Sequence, residues 1–336
     1  MTTMDYYEAV ASQGQRLESS ARSVGDALAE MDLAPWRNGL LVASSMGASS
    51  HASVVFVDRL VRHGRRAVNI DASEMMGLAA GTDFADSYVF VSEGGRSRET
   101  IAAAQLAPRG RRLGLTNNPE APFGDVVDAV IGLAHGEDSP VYTVGYTATL
   151  QAFGLLASAI DAADDGDDWP ALPERVSETL SSLAEKAAAV ATTFSRLASF
   201  DFVGTGASRA AAAEAALLFR EATRTCTASF DTYQYLHGPM EPLTAQTGCM
   251  IFGSRREVTL ASYLVDKGIP TVLVTSAEVS AADGLAVLQI PELAASSRSI
   301  LEIVAAQLVV GELARIRGLG IDGFRYHQDD TKIDKL

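Results

Sequence analysis

The sequence predicts an α/β fold built as two tandem, doubly wound domains with parallel sheets. Three observations carry that expectation. Short apolar runs without polar alternation are separated by helical periods, the mark of strands covered by helices on both faces. A strand, small-residue turn and helix occur in that order twice, at residues 39–60 and again at 200–220. At 336 residues the chain also exceeds what one hydrophobic core usually serves.

The elements follow in order. Residues 1–34 read as an N-terminal helical segment, with small and apolar side chains at helical spacing from Tyr6 and with Arg16 and Arg22 on the other face. The first domain, 35–160, holds strands at 39–43, 66–70, 87–91 and 112–115. An acidic linker at 161–172 follows; its run 161–168 has no apolar residue but alanine, and it is expected to be solvated. It does not fit a calcium loop, because Ala163 and Leu172 fall where side-chain ligands would be needed. The second domain, 173–336, holds strands at 200–203, 248–252 and 270–274, a terminal helix over 303–314 and a polar tail.

Composition narrows the function classes. Hydrophobic residues make up 47% and the formal net charge is −15. A chain this acidic repels nucleic acid and anionic lipid, so neither is an expected partner. The N-terminus lacks the basic start and apolar core of a signal peptide, and no apolar run approaches the ~20 residues that span a bilayer. A cytoplasmic protein is expected. Cys226 and Cys249 read as buried free thiols. No pair of histidines has metal-ligand spacing, and no metal or cofactor is expected.

Several segments carry chemistry. The turn 44–50 places Gly47, Ser49 and Ser50 at a helix N-terminus, where unpaired amides and the helix dipole favour an anion. The same serines also serve as ordinary caps. A second turn, Ser92-Glu93-Gly94-Gly95-Arg96-Ser97-Arg98-Glu99-Thr100, offers hydroxyls, two glycines and two cations. Thr143 either binds a sugar hydroxyl or caps the following helix; Glu137 and Asp138 read as solvated loop charges.

Glu221 ends an apolar helix run, either paired with Arg220 or Arg224 or, if desolvated, poised as a base near neutral pH. His237 follows sixteen residues later, fixed before Gly238-Pro239. The other histidines, His51, His63, His135 and His327, have no matched partner in the sequence. The tail from Phe324 mixes Arg, Tyr, His and two lysines, consistent with a segment folding over a site; a lysine there can stabilise an enediolate.

Together these residues resemble the sugar isomerase (SIS) domain family, in the tandem, flavodoxin-like form of the isomerase half of glutamine–fructose-6-phosphate aminotransferase. The resemblance rests on the small-residue turns after the first strand of each half, on Ala72-Ser73-Glu74, on Gly114-Leu115-Thr116-Asn117-Asn118-Pro119 and on His237-Gly238-Pro239. It implies a phosphosugar isomerase that interconverts ketose and aldose, or amino-sugar, phosphates. Ser49, and less firmly Ser97 and Thr100, would hold the sugar phosphate; Gly47, Ser50, Ser92, Gly94 and Thr143 are the further candidate substrate-binding residues of these turns. Glu221 would move a proton between C1 and C2. His237 would open the ring from the neighbouring subunit of a homodimer. Lys332, or Lys335, would reach the carbonyl.

Deamination or deglycation of an amino-sugar phosphate is the alternative reaction, and a sugar-phosphate sensor the non-catalytic one. The family's second turn reads Ser-x-Ser-Gly; here Gly94 replaces the inner serine and Glu93 brings a negative charge. At ~4 Å and an effective dielectric of about 20, that charge and a phosphate would repel by about 4 kcal/mol. Leu218 stands where the aminotransferase has a lysine, and no glutaminase segment precedes, so glutamine is not the expected nitrogen donor.

Overall fold

A computed structural model of the chain describes residues 4–79, 82–163, 165–280 and 282–335. Met1, Thr2 and Thr3 of the N-terminus and Asp164 of the acidic run lie outside the described residues.

The chain opens with α1 (Tyr6–Ala11) and α2 (Gln13–Glu30). Asp5 caps α1 by accepting the Tyr7 and Glu8 amides. The single N-terminal helix expected from the sequence is interrupted at Ser12, whose hydroxyl turns back onto the Ala9 carbonyl. Alternation then begins: β1 (Leu40–Ser45), α3 (Ala48–Arg62), β2 (Arg66–Asp71), α4 (Ala72–Met76), β3 (Ser87–Val91), α5 (Arg98–Leu106), β4 (Arg112–Thr116), β5 (Ala129–Gly132) and α6 (Val144–Asp161). After α7 (Leu172–Phe194) it resumes with β6 (Ser199–Gly204), α8 (Ser208–Thr223), β7 (Cys226–Asp231), α9 (Thr232–Tyr235), β8 (Thr247–Phe252), α10 (Arg256–Asp266), β9 (Thr271–Thr275), β10 (Leu285–Gln289) and α11 (Ala295–Ile316).

The strands form two five-stranded sheets, ordered β2-β1-β3-β4-β5 and β10-β9-β8-β6-β7, and every pairing is parallel. Counted within its own half, each sheet has the doubly wound order 2-1-3-4-5, whose reversal lies between the first and third strands. The central strands β3, β4, β8 and β9 are buried throughout, which is why each reads as an unbroken apolar run.

Two compact units contain the two sheets, and they interleave along the chain. The first-sheet unit comprises Gln15–Gly136, Val144–Pro170 and Arg325–Leu336; the second-sheet unit comprises Met1–Gly14, Glu137–Thr143 and Ala171–Phe324. The polar tail therefore belongs with the first sheet, although it follows the second in sequence. Its backbone runs antiparallel beside the turn after β3. The Arg98 amide donates to the Thr331 carbonyl at 3.1 Å, the Ile333 amide donates to the Arg96 carbonyl at 3.0 Å, and Ser97 bridges Lys332. The Ile333 side chain packs against the core under β3 and α5, which anchors the tail by apolar burial as well as hydrogen bonds.

The acidic stretch is only partly solvated: Ala162, Asp165, Gly166 and Asp168 are exposed, and two of its carboxylates are buried. Asp161 and Asp167, whose side chains are 2% and 3% exposed, close on the buried Arg59 guanidinium of α3 at 3.5 and 3.0 Å, and Asp165 joins at 3.2 Å. His63, expected to have no partner, lies between Asp161 and Asp165 at 2.7 and 2.6 Å. A buried cation demands paired carboxylates, and this run supplies them.

Candidate active-site residues

In the first-sheet unit, β1 ends in the 44–50 turn. Gly47 adopts φ 56° and ψ −132°, a conformation that a side chain resists, and it starts α3 by offering its carbonyl to the Ser50 and His51 amides. Ser44 and Ser45 are buried, and their hydroxyls have no partner among the described residues. The Ser49 hydroxyl is half-buried and likewise makes no hydrogen bond there. Ser50 differs: its hydroxyl donates to Asp71 at 2.6 Å, and its carbonyl accepts from Asn69 at 3.0 Å. Ser50 is thus a brace of the turn, tied to the end of β2.

The second turn follows β3. Ser92 is buried and accepts the Ser97 amide at 3.2 Å, drawing the loop into a hook around Gly94 and Gly95. Gly95 has φ 69°, and a Cβ there would lie 2.5 Å from Ala121. Thr100 donates to Ser97 at 3.1 Å, at the start of α5. Arg96 pairs with Asp334 of the tail at 2.7 Å, and Arg98 reaches the Asp330 carbonyl at 3.4 Å. The Lys332 side chain is exposed, with its backbone bridged to Ser97.

Glu93 does not project into the turn. Its carboxylate, on a side chain 10% exposed, accepts from His135 Nε2 at 2.8 Å, and its carbonyl accepts from the Asn117 amide and the Thr116 hydroxyl. His135 is fully buried and is matched to Glu93 across 42 residues, a pairing that the sequence does not display.

In the second-sheet unit, Glu221 lies in the last turn of α8. It is half-buried, and its carboxyl is pushed up to about 8 by desolvation and by the neighbouring charge of Glu214, opposed by Arg224. Of the two readings of Glu221, the helical ion pair with Arg220 or Arg224 is not made. Arg220 donates to the Thr227 carbonyl, and Arg224, left-handed at φ 56° where α8 ends, donates to the Gly323 carbonyl. His237 lies exposed on the turn after α9, held through its backbone amide to Gln234, and its ring makes no hydrogen bond among the described residues. Its side chain and Glu221 are not paired within the chain.

Thr143 is fully buried, and its hydroxyl donates to Asp138 at 2.7 Å, with its amide on the same carboxylate at 2.9 Å. This holds the loop at the start of α6, so Asp138 is a structural acceptor and not a solvated charge. The turn after β6 is equally committed. Thr205 donates to Asp231 at 2.7 Å, and Ser208 donates to the buried Glu302 at 2.8 Å. Glu302 also accepts from Arg298; burial raises its carboxyl to about 7. Cys249 is buried as expected, but Cys226 is exposed at the start of an edge strand.

Among the described residues no group of three or more His, Cys, Asp or Glu is arranged to hold a metal ion, and no helix is long and apolar enough to cross a membrane. Residues 194–317 match the family described as "SIS domain". Over this stretch the chain is similar to that family. The matched stretch includes β6, α8 with Glu221, the His237 turn and all of α11. A stretch of 252 residues is 27% identical to a glutamine–fructose-6-phosphate aminotransferase of Gloeobacter violaceus, covering 69% of this chain and 41% of the relative. The enzyme of that name from Thermosynechococcus vestitus is 25% identical over 260 residues, covering 69% of this chain and 42% of the relative. The chain thus spans about two-fifths of the length of these relatives.

The fold is shared with solved structures over nearly the whole chain. The C-terminal domain of the Francisella tularensis glucosamine-fructose-6-phosphate aminotransferase superposes with a TM-score of 0.80 at 16% identity, over 95% of this chain and 98% of that one. The Escherichia coli tagatose-6-phosphate ketose/aldose isomerase gives 0.78 at 16% identity, over 97% and 96%. The Thermotoga maritima glucosamine-6-phosphate deaminase gives 0.72 at 17%, over 94% and 98%.

Proposed function

We propose that the protein is a phosphosugar isomerase that interconverts ketose and aldose, or amino-sugar, phosphates by ring opening and proton transfer between C1 and C2. The observation that carries this reading is Glu221: an unpaired, half-buried carboxyl with its pKa pushed up to about 8, in the stretch that is similar to the SIS domain family. A carboxyl in that range exchanges protons efficiently near neutral pH. The carbonyl of an opened sugar acidifies the adjacent C–H, so a positioned base and a donor for the developing oxyanion suffice for the transfer.

The remaining roles follow from chemistry. Gly47, Ser49, Ser92, Gly94, Ser97 and Thr100 hold the phosphate through amides and hydroxyls at helix N-termini. Ser50 acts by bracing its turn against Asp71, and the buried hydroxyls of Ser44 and Ser45 are further donors. His237 opens the ring, and its exposure and lack of a ring partner among the described residues fit a role on the neighbouring subunit of a homodimer. Lys332 reaches the substrate carbonyl from the tail. Thr143 makes its contribution to the fold, through Asp138.

The sensor alternative drew its support from the altered turn at Glu93-Gly94, and the contact of Glu93 with His135 weakens the part of it that rests on charge. Purified protein is expected to catalyse aldose–ketose exchange on a member of a hexose and amino-hexose 6-phosphate panel, with Glu221→Gln inactive. Full activity in Glu221→Gln would refute the assignment, and release of ammonia or an amino acid in place of isomerisation would move it to deamination or deglycation.

A further inference from the structure

The turn after β3, read above as a phosphate-binding turn, has a carboxylate in its sequence. Glu93 sits between the hook residue Ser92 and the two glycines that let a ligand approach the backbone. Its side chain leaves the turn and enters the fold. Three contacts fix that course: the carboxylate on His135 Nε2 at 2.8 Å, the carbonyl accepting the Asn117 amide at 2.9 Å, and the same carbonyl accepting the Thr116 hydroxyl at 3.1 Å. His135 is itself held in place. Its amide donates to Asn117 Oδ1 at 3.2 Å, its carbonyl accepts from Arg16 at 2.8 Å, and Asn117 donates to the Gly136 carbonyl at 2.8 Å. The His135 ring is buried, and its Nδ1 has no partner among the described residues. Among the described residues Glu93 is thus the only side chain holding the ring's polar atoms, and the pair is mutually dependent.

We propose that His135 is a positioning residue for anion recognition: by holding Glu93 inside the first-sheet unit, it converts an acidic turn into one that accepts a phosphate. The inference rests on the reading that this turn binds the phosphate of a sugar phosphate. Without the imidazole, the carboxylate loses its buried acceptor site and turns outward, since an unpaired charge is costly inside and cheap in water. Outside, it stands beside Gly94 and repels the anion.

A purely structural role would lose function equally in every variant lacking the imidazole. The pairing makes a different prediction, because removing the carboxylate should undo the damage. The experiment is a titration of the full chain with inorganic phosphate, read by isothermal calorimetry, on the wild type, His135→Ala, Glu93→Gln, the double variant and His135→Gln. His135→Ala should bind at least about tenfold more weakly, the scale of a partly screened like-charge contact. Glu93→Gln should bind within about twofold of wild type, and the double variant should recover most of the loss. His135→Gln, which keeps a donor for Glu93, should also recover it. Melting curves without phosphate check that each variant is folded. His135→Ala binding as wild type, or a double variant as weak as His135→Ala, would overturn the pairing alone. A wild type that binds no phosphate, or one whose binding survives Ser97→Ala unchanged, would overturn the phosphate reading of the turn itself.

Discussion

The turn after β1 and the turn after β6 start from the same topology and end with opposite chemistry. Both follow the first strand of a doubly wound sheet, both open a long helix, and both donate a hydroxyl to the aspartate ending the neighbouring strand, Ser50 to Asp71 and Thr205 to Asp231. Beyond that brace they part. The first turn keeps the buried hydroxyls of Ser44 and Ser45 and the half-buried Ser49 without partners among the described residues. The second gives its remaining hydroxyl, Ser208, to Glu302, a buried acid. A carboxyl there occupies the donors that an anion would use. Repeating a fold thus repeats the brace and not the fate of the other hydroxyls: those of the first turn have no partner among the described residues, and that of Ser208 is taken by an acid.

The largest expected effect tests the proposed division between a phosphate-binding first turn and Glu221 as base. Glu221→Gln should lower the rate of C1/C2 proton transfer by about 10² to 10⁴, the usual contribution of a general base, while phosphate affinity stays near wild type. A parallel loss of phosphate binding would show that the two functions are not divided as described. The pH profile sharpens the same point. Since only the ionised carboxyl is a base, kcat/KM should rise with pH and level off above about 8.

The glycines of the two turns come next. Gly47→Ala meets no atom within 4 Å of the new Cβ, so its cost is backbone strain at φ 56°, about 1–3 kcal/mol, together with weaker phosphate binding. Gly204→Ala places a Cβ 2.7 Å from the Ser208 carbonyl oxygen, a clash costing about 1–3 kcal/mol by chemical denaturation, with phosphate affinity unchanged.

The smallest effect concerns Glu302. Its folded pKa lies near 7, above the ordinary 4.5, so the folded state binds the proton more tightly than the unfolded state. Its contribution is therefore most favourable below about 4.5 and is lost as pH rises through about 7. Glu302→Gln should remove that slope and gain on the parent by on the order of 1 kcal/mol at pH 8, measured by urea unfolding. Equal slopes in both proteins would mean that the second turn is not sealed by an acid of this kind.

The legibility of the sequence followed burial. The strands read from the sequence are the interior strands of both sheets and one edge strand, β2. The three that were missed, β5, β7 and β10, are all edges, where one neighbour is absent and side chains are only half-covered. An edge strand has no need of an unbroken apolar run, and Cys226–Asp231 is accordingly polar. The candidate site divided in the same way. Turn glycines, cap serines and the acid ending an apolar helix are local signals, and Glu221, Gly47 and Ser49 were visible through them. Glu93–His135 and Arg59–Asp161 join residues 42 and 102 apart, and only the completed fold brings them together.

The most direct test of the contrast between the turns is a calorimetric titration with inorganic phosphate comparing Ser49→Ala with Thr205→Ala. Ser49→Ala should bind about tenfold more weakly, the loss of one hydrogen bond to a charged group, and Thr205→Ala should bind within about twofold of wild type. Weakened binding in Thr205→Ala with Ser49→Ala unaffected would place the anion at the other turn and contradict that contrast.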